Sequence, residues 1–158
     1  THHRSSAASD VYKRQLVETT YEAMMKGIEK IKPGNTFGDI GNAIQVYAEK
    51  KNYSIVRDFC GHGLGKVFHD HPSVLHFGKP GEGELLQEGM FFTVEPMINI
   101  GDYKVKVLSD VWTAVTSDKS LSAQFEHTVG VTKTGYEIFT LSKKNFKFPP
   151  YIKNDSKI

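Results

Sequence analysis

Apolar residues return at three- and four-residue steps over residues 16–31. Val17, Tyr21, Met24, Ile28 and Ile31 fall on one face, the pattern of an amphipathic helix. Pro33-Gly34 stops it. A second helix is predicted over 37–51, with Ile40, Ala43, Ile44, Tyr47 and Ala48 facing inward. Thr36 stands at its cap and Asp39 three positions on, the spacing of a capping box. From Tyr53 the pattern changes to strands, predicted at 53–57, 73–77, 90–98, 105–108, 111–116, 125–132 and 136–141, with glycines and charged residues between them. Lys133-Thr134-Gly135 reads as a hairpin turn with glycine in the left-handed position. Two helices followed by mostly antiparallel strands define an α+β class. There is no internal repeat.

The two ends lack this patterning. Residues 1–15 hold two adjacent histidines, His2 and His3, a Ser/Ala run and few apolar residues. They are read as a non-native leader or a disordered terminus, outside the fold, and the two histidines are not expected to bind metal. Residues 16–151 form the expected domain. The closing residues mix lysines with Phe146, Phe148 and Tyr151 around Pro149-Pro150, and 152–158 are expected to fray.

Composition narrows the class. The 158 residues are 39% hydrophobic and 24% charged, enough for one domain with a core. A net charge of +2 gives no reason to expect nucleic-acid binding. No apolar run approaches a membrane span, and no segment has the order of a secretory signal. The single cysteine, Cys60, allows no internal disulfide and fits a reducing compartment, so a cytoplasmic location is expected.

Four places carry candidate chemistry. Cys60-Gly61-His62-Gly63-Leu64-Gly65 sets a histidine between glycines, where the backbone can bend and a ligand can approach. Its spacing is not that of a dinucleotide loop, and papain-type and caspase-type cysteine signatures are absent. Phe68-His69-Asp70-His71-Pro72 adds two histidines. His71, and His76 further on, read as ordinary structural histidines. Phe91-Phe92-Thr93-Val94-Glu95-Pro96-Met97 is an apolar strand with one carboxylate, and Glu95 shares a face with Phe91 and Thr93. A buried carboxylate there needs a partner or a cation. The plainer reading has Glu95 in water at a strand end, because Pro96 interrupts the ladder. In Gln124-Phe125-Glu126-His127-Thr128, alternation sends Glu126 to one side with Gln124 and Thr128, and His127 to the other. One imidazole and two carboxylates suit a divalent transition metal better than calcium or magnesium.

CGHGLG, VFHDHPSVLHFG, EGMFFTVEPM, DVWTAVTSDKSLSAQFEHTVGVT and GYEIFTLS are similar, in order and spacing, to the C-terminal half of type I methionine aminopeptidases. The likeness runs from about residue 16 to residue 151. The short interval from His62 to Glu95 is like type I, since type II enzymes carry a large insertion there. The resemblance implies half of a pita-bread fold, two related α+β halves around a two-ion site of the Co, Mn, Fe or Zn class. It implies that His62, Glu95 and Glu126 are metal ligands, with Glu126 bridging the ions and Glu95 also shuttling a proton. It gives His69 a contact with the scissile peptide group, stabilising the tetrahedral intermediate. Phe68 and Trp112 would line the methionine pocket; the plainer reading of both is ordinary core packing. The implied substrates are nascent peptides beginning with methionine, with the ribosome as a further partner.

The family's other half supplies two aspartate ligands, another active-site histidine and much of the pocket. The acids ahead of His62 do not replace them: Glu18, Glu22 and Glu29 lie on the first helix, Asp39 is a cap, Glu49 ends the second helix, and Asp58 stands alone near a strand. The chain is therefore expected to be a fragment that holds at most one ion weakly, has little or no peptidase activity, and exposes an apolar face. A proline-directed aminopeptidase of the same fold and a non-catalytic pita-bread binding module are the alternatives.

Overall fold

The computed structural model describes residues 3–142, with side chains from residue 10 onward. Helix α1 (His3–Ile28) and helix α2 (Phe37–Glu49) pack on each other and are followed by ten short strands. Strands β2 (Gly61–Gly63), β3 (Asp70–Val74), β4 (Phe91–Val94), β9 (His127–Val131) and β10 (Tyr136–Ile138) form an antiparallel sheet in the order β10-β9-β4-β2-β3. Strands β1 (Ser54–Ile55), β5 (Met97–Asn99) and β8 (Ser122–Gln124) form a second sheet in the order β1-β5-β8. A hairpin of β6 (Val105–Val107) and β7 (Ala114–Thr116) stands apart.

The helical faces read from the sequence form the core. Met24, Ile28 and Ile31 from the first helix region, and Ile40, Ile44 and Ala48 from α2, close on Phe92, Val94, Ile98 and Val129. Phe37, at the start of α2, meets Phe92 edge-on, with ring centroids 4.9 Å apart. Each of these side chains larger than Ala48 contributes about 1.5–3 kcal/mol by leaving water. The capping box is present: Thr36 Oγ1 accepts from the Asp39 N–H at 3.3 Å, and Asp39 Oδ2 accepts from the Thr36 N–H at 2.8 Å.

Several boundaries differ from the sequence reading. Helix α1 begins at His3, so most of the segment assigned outside the fold is helical, although residues 10–15 are exposed and Leu16 is the first buried position after them. The apolar stripe starts only where the helix meets the core, so the exposed residues 10–15 before it left no period to read. The strand expected over 90–98 divides at Glu95-Pro96, one part in each sheet. The strand expected over 73–77 sits earlier, at Asp70–Val74. Gly135 closes the β9–β10 connection, its carbonyl accepting from the Thr132 N–H at 2.9 Å, without the left-handed φ expected of it. The tail calls at Phe146, Phe148, Tyr151 and 152–158 lie outside the described residues.

Strand β2 was not foreseen. Its glycines do not serve positive φ angles. A Cβ on Gly61 would overlap the Thr93 carbonyl, and one on Gly63 the His71 carbonyl. Glycine is needed at both because neighbouring backbone lies against them, which is how His62 comes to lie inside the sheet.

Candidate metal centre

Strand register brings the three candidate ligands to one end of the five-stranded sheet. Gly63 pairs with Phe92, so on the antiparallel ladder His62 lies opposite Thr93. Glu95 is two residues beyond Thr93 and therefore on the same face. Val94 pairs with His127, so Glu95 just past β4 and Glu126 just before β9 flank the last rung of that ladder. One ligand atom from each of His62, Glu95 and Glu126 lies within 4.8 Å of the others. His62 and Glu95 are partly buried and Glu126 is exposed, so the cluster opens on one side.

Local bonds aim these groups. His62 Nδ1 is 3.0 Å from the Gly63 carbonyl. A carbonyl only accepts, so Nδ1 carries a proton there, and in the neutral ring this leaves Nε2 as the nitrogen free to ligate, the tautomer a metal ligand requires. Nε2 stands 3.7 Å from Glu95 Oε1, beyond a good hydrogen bond. Thr93 Oγ1 accepts from the His62 N–H at 2.9 Å and donates to Glu95 Oε1 at 2.6 Å, tying two candidate ligands together. Gln124 Nε2 donates to the Glu95 carbonyl at 3.3 Å and approaches Oε2 at 3.4 Å.

Burial pushes the Glu95 carboxyl above its ordinary pKa. The Thr93 hydroxyl opposes that, the nearby Glu126 charge adds to it, and His62 and His69 pull it back. A cation among these groups would relieve both the desolvation and the carboxylate–carboxylate repulsion. One imidazole nitrogen with a free lone pair and two convergent carboxylates fit a divalent transition-metal ion.

The other predicted residues divide. The exposed His69 ring is 4.4 Å from the His62 ring, centroid to centroid. Phe68 lies 5.2 Å from His62 and 4.7 Å from His69. It is 70% exposed, so its core-packing reading fails. Trp112 is 90% exposed in the turn joining β6 and β7, and core packing fails for it too. The structure groups Phe68 with His62 and His69, whereas Trp112 has no such ring contact among the described residues. His127 points away from Glu126, as alternation predicted, toward Tyr21 and Thr140, with Nδ1 2.8 Å from Thr140 Oγ1. His71 is exposed and pairs with Glu84 at 3.2 Å.

Three partners of this cluster escaped the sequence reading. Thr93 and Gln124 were noted only as sharing faces with Glu95 and Glu126. His76, read as a plain structural histidine, is 2% exposed and accepts the Glu95 N–H at Nε2, 3.0 Å away. Burial pushes its pKa down to about 4, which keeps it neutral and able to accept.

The comparisons give this fold and cluster a family, that of metallopeptidases. The chain belongs to metallopeptidase family M24, whose model matches residues 4–133. It is 64% identical over 140 residues to the methionine aminopeptidase of Rickettsia prowazekii, covering 87% of this chain and 54% of that protein. It is 48% identical over 141 residues to the methionine aminopeptidase of Salmonella typhimurium strain LT2, covering 89% and 53%. The crystal structure of the Rickettsia prowazekii enzyme matches with a TM-score of 0.82 at 63% identity, over 83% of this chain and 53% of that one. Prolidase from Pyrococcus horikoshii, at 24% identity and a TM-score of 0.61 over 82% and 32%, shares the pita-bread fold alone. The chain spans about half the length of the curated relatives it matches. Among the described residues no helix is long and apolar enough to cross a membrane.

Proposed function

We propose that this chain is part of a methionine aminopeptidase, a cytoplasmic enzyme that removes the initiator methionine from nascent proteins, and that His62, Glu95 and Glu126 hold a divalent ion of the Co, Mn, Fe or Zn class. The observation that carries this reading is the convergence of those three side chains, far apart in sequence, to within 4.8 Å. Similarity to methionine aminopeptidases over most of the chain supports it.

A bound divalent ion supplies Lewis acidity, activating water and polarising a carbonyl. The chain's own residues do the rest. His62 presents Nε2, with its ring fixed by the Gly63 carbonyl. Glu126, the exposed member, would offer its carboxylate both to this ion and to a second one. Glu95 would both hold the ion and accept a proton from the attacking water. His69, beside His62 on the open side, donates to the substrate's scissile carbonyl as charge develops on it. Phe68, packed against both histidines, offers an apolar wall to the methionine side chain, and Trp112 contributes from the β6–β7 turn. The remaining ligands of a two-ion site belong, in this reading, to the half of the relatives that this chain does not match. The isolated chain therefore binds one ion, weakly, and cleaves little or nothing. Nascent chains with N-terminal methionine, presented at the ribosome, are the proposed substrates.

The test joins this chain to the unmatched half of the Rickettsia prowazekii relative. The assay follows release of methionine from a Met-Ala-Ser peptide and of the first residue from an Xaa-Pro peptide. Methionine release that is lost in Glu126→Gln is expected. Cleavage confined to the Xaa-Pro peptide would overturn the assignment in favour of the proline-directed alternative. Absence of both activities would favour a binding module.

A further inference from the structure

We propose that His76 is a positioning residue for the metal centre, holding the backbone at Glu95 so that its carboxylate faces His62 and Glu126. This rests on the metal-binding reading and adds a residue to it.

The argument begins with a gap in the hydrogen-bond ladder. Val94 is the last β4 residue paired to β9, and Met97 is the first β5 residue paired to β8. Glu95 and Pro96 thus cross from one sheet to the other. Pro96 has no N–H, and Glu95 pairs with no strand. A backbone N–H left unpaired in such a place costs about 1–3 kcal/mol. His76 supplies the partner. It lies two residues beyond the end of β3, almost fully buried, with Nε2 3.0 Å from the Glu95 nitrogen. Gln124 Nε2 holds the Glu95 carbonyl from the adjoining sheet at 3.3 Å. Thr93 then holds the carboxylate itself.

Glu95 is therefore fixed at its N–H, its C=O and its carboxylate by three side chains from three strand regions. The His76 bond is the more buried of the two on the backbone, and it sets the direction in which Cα–Cβ leaves the sheet. Relaxing it lets the carboxylate swing while the rest of β4 stays paired. Groups that orient a ligand in this way typically account for about 10–100-fold in metal affinity.

The experiment is Mn²⁺ titration of the chain, read by electron paramagnetic resonance, for wild type, His76→Gln and His76→Leu, with Met24→Ala as a core-destabilised control. Glutamine can place its amide oxygen near the position of Nε2, whereas leucine fills space without accepting. His76→Leu is expected to lose about tenfold or more in affinity, His76→Gln to stay close to wild type, and Met24→Ala to lose stability but not affinity. Wild-type affinity in His76→Leu overturns the proposal. So does equal weakening in His76→Gln, His76→Leu and Met24→Ala, which would mark a merely structural role. If wild type itself binds no Mn²⁺, the metal reading fails and takes this proposal with it. If His76→Leu does not fold, the wild-type chain still decides. A through-bond ¹⁵N–¹⁵N coupling between Glu95 N and His76 Nε2 is expected, and its absence rejects the bond on which the proposal stands.

Discussion

Thr93 shows how much of this centre depends on single atoms. Its hydroxyl is both acceptor for the His62 N–H and donor to the Glu95 carboxylate. Thr93→Val keeps the shape and loses both bonds. It should weaken Mn²⁺ binding about tenfold, while Thr93→Ser, which keeps the hydroxyl, should stay near wild type. Equal affinity in Thr93→Val would show that the bonds do not orient the ligands. Glu95 and Glu126 stood out in the sequence because an ionisable group in an apolar strand demands a partner, and His62 because glycines flank it; that the three act together as ligands was implied by the family resemblance alone. Their helpers did not stand out. A threonine beside a glutamate looks like ordinary strand alternation, and nothing local distinguishes a histidine bonded to backbone, as His76 is, from one that faces solvent, as His71 does. Phe68 and Trp112 remained ambiguous because an aromatic residue reads the same whether it fills a core or lines a surface.

At the scale of elements, periodicity revealed what was long and half-buried. Both helical faces, and most strands, followed from three- and two-residue periods. Strand β2 did not, since Gly-His-Gly is too short to alternate and carries no apolar signal, yet it is the element that delivers His62. Its fit makes a prediction. Gly61→Ala and Gly63→Ala would each push a methyl against a neighbouring carbonyl. Each should destabilise the chain by about 1–3 kcal/mol in urea unfolding, and unchanged midpoints would contradict the close packing. The cap of α2 makes another. Thr36→Ala should cost about 1 kcal/mol. The backbone bond from Thr36 is the chief cause lowering the Asp39 pKa from 3.8. Between that lower native value and 3.8 the unfolded chain binds the extra proton, so stability rises with pH there. Asp39's contribution should be complete above pH 3.8 and be lost as pH falls through its lower native pKa. Asp39→Asn should remove that acid limb from the unfolding curve, and an unchanged limb would count against the box.

For the whole molecule, the chain has a continuous core and an open cluster of one imidazole and two carboxylates at one sheet end, and it matches about half of a relative. Val67, Phe68, Val111 and Trp112 are large apolar residues exposed in two connecting segments, the kind of surface that marks an interaction face. The chain should therefore self-associate as its concentration rises. Light scattering behind size exclusion should show this, and the double change Phe68→Ser with Trp112→Ser should reduce it. A clean monomer throughout would remove the argument for an uncovered face. The α+β class and the order of elements were legible at this scale. The crossing of one predicted strand between two sheets was not, because it depends on Pro96 and on partners far along the chain.

Everything functional rests on the meeting of an imidazole with two carboxylates. Calorimetric titration of the purified chain with Mn²⁺, beside His62→Ala and Glu126→Gln, tests it most directly. The account predicts one weak site that both substitutions abolish. Two tight sites, or binding that neither substitution disturbs, would contradict it.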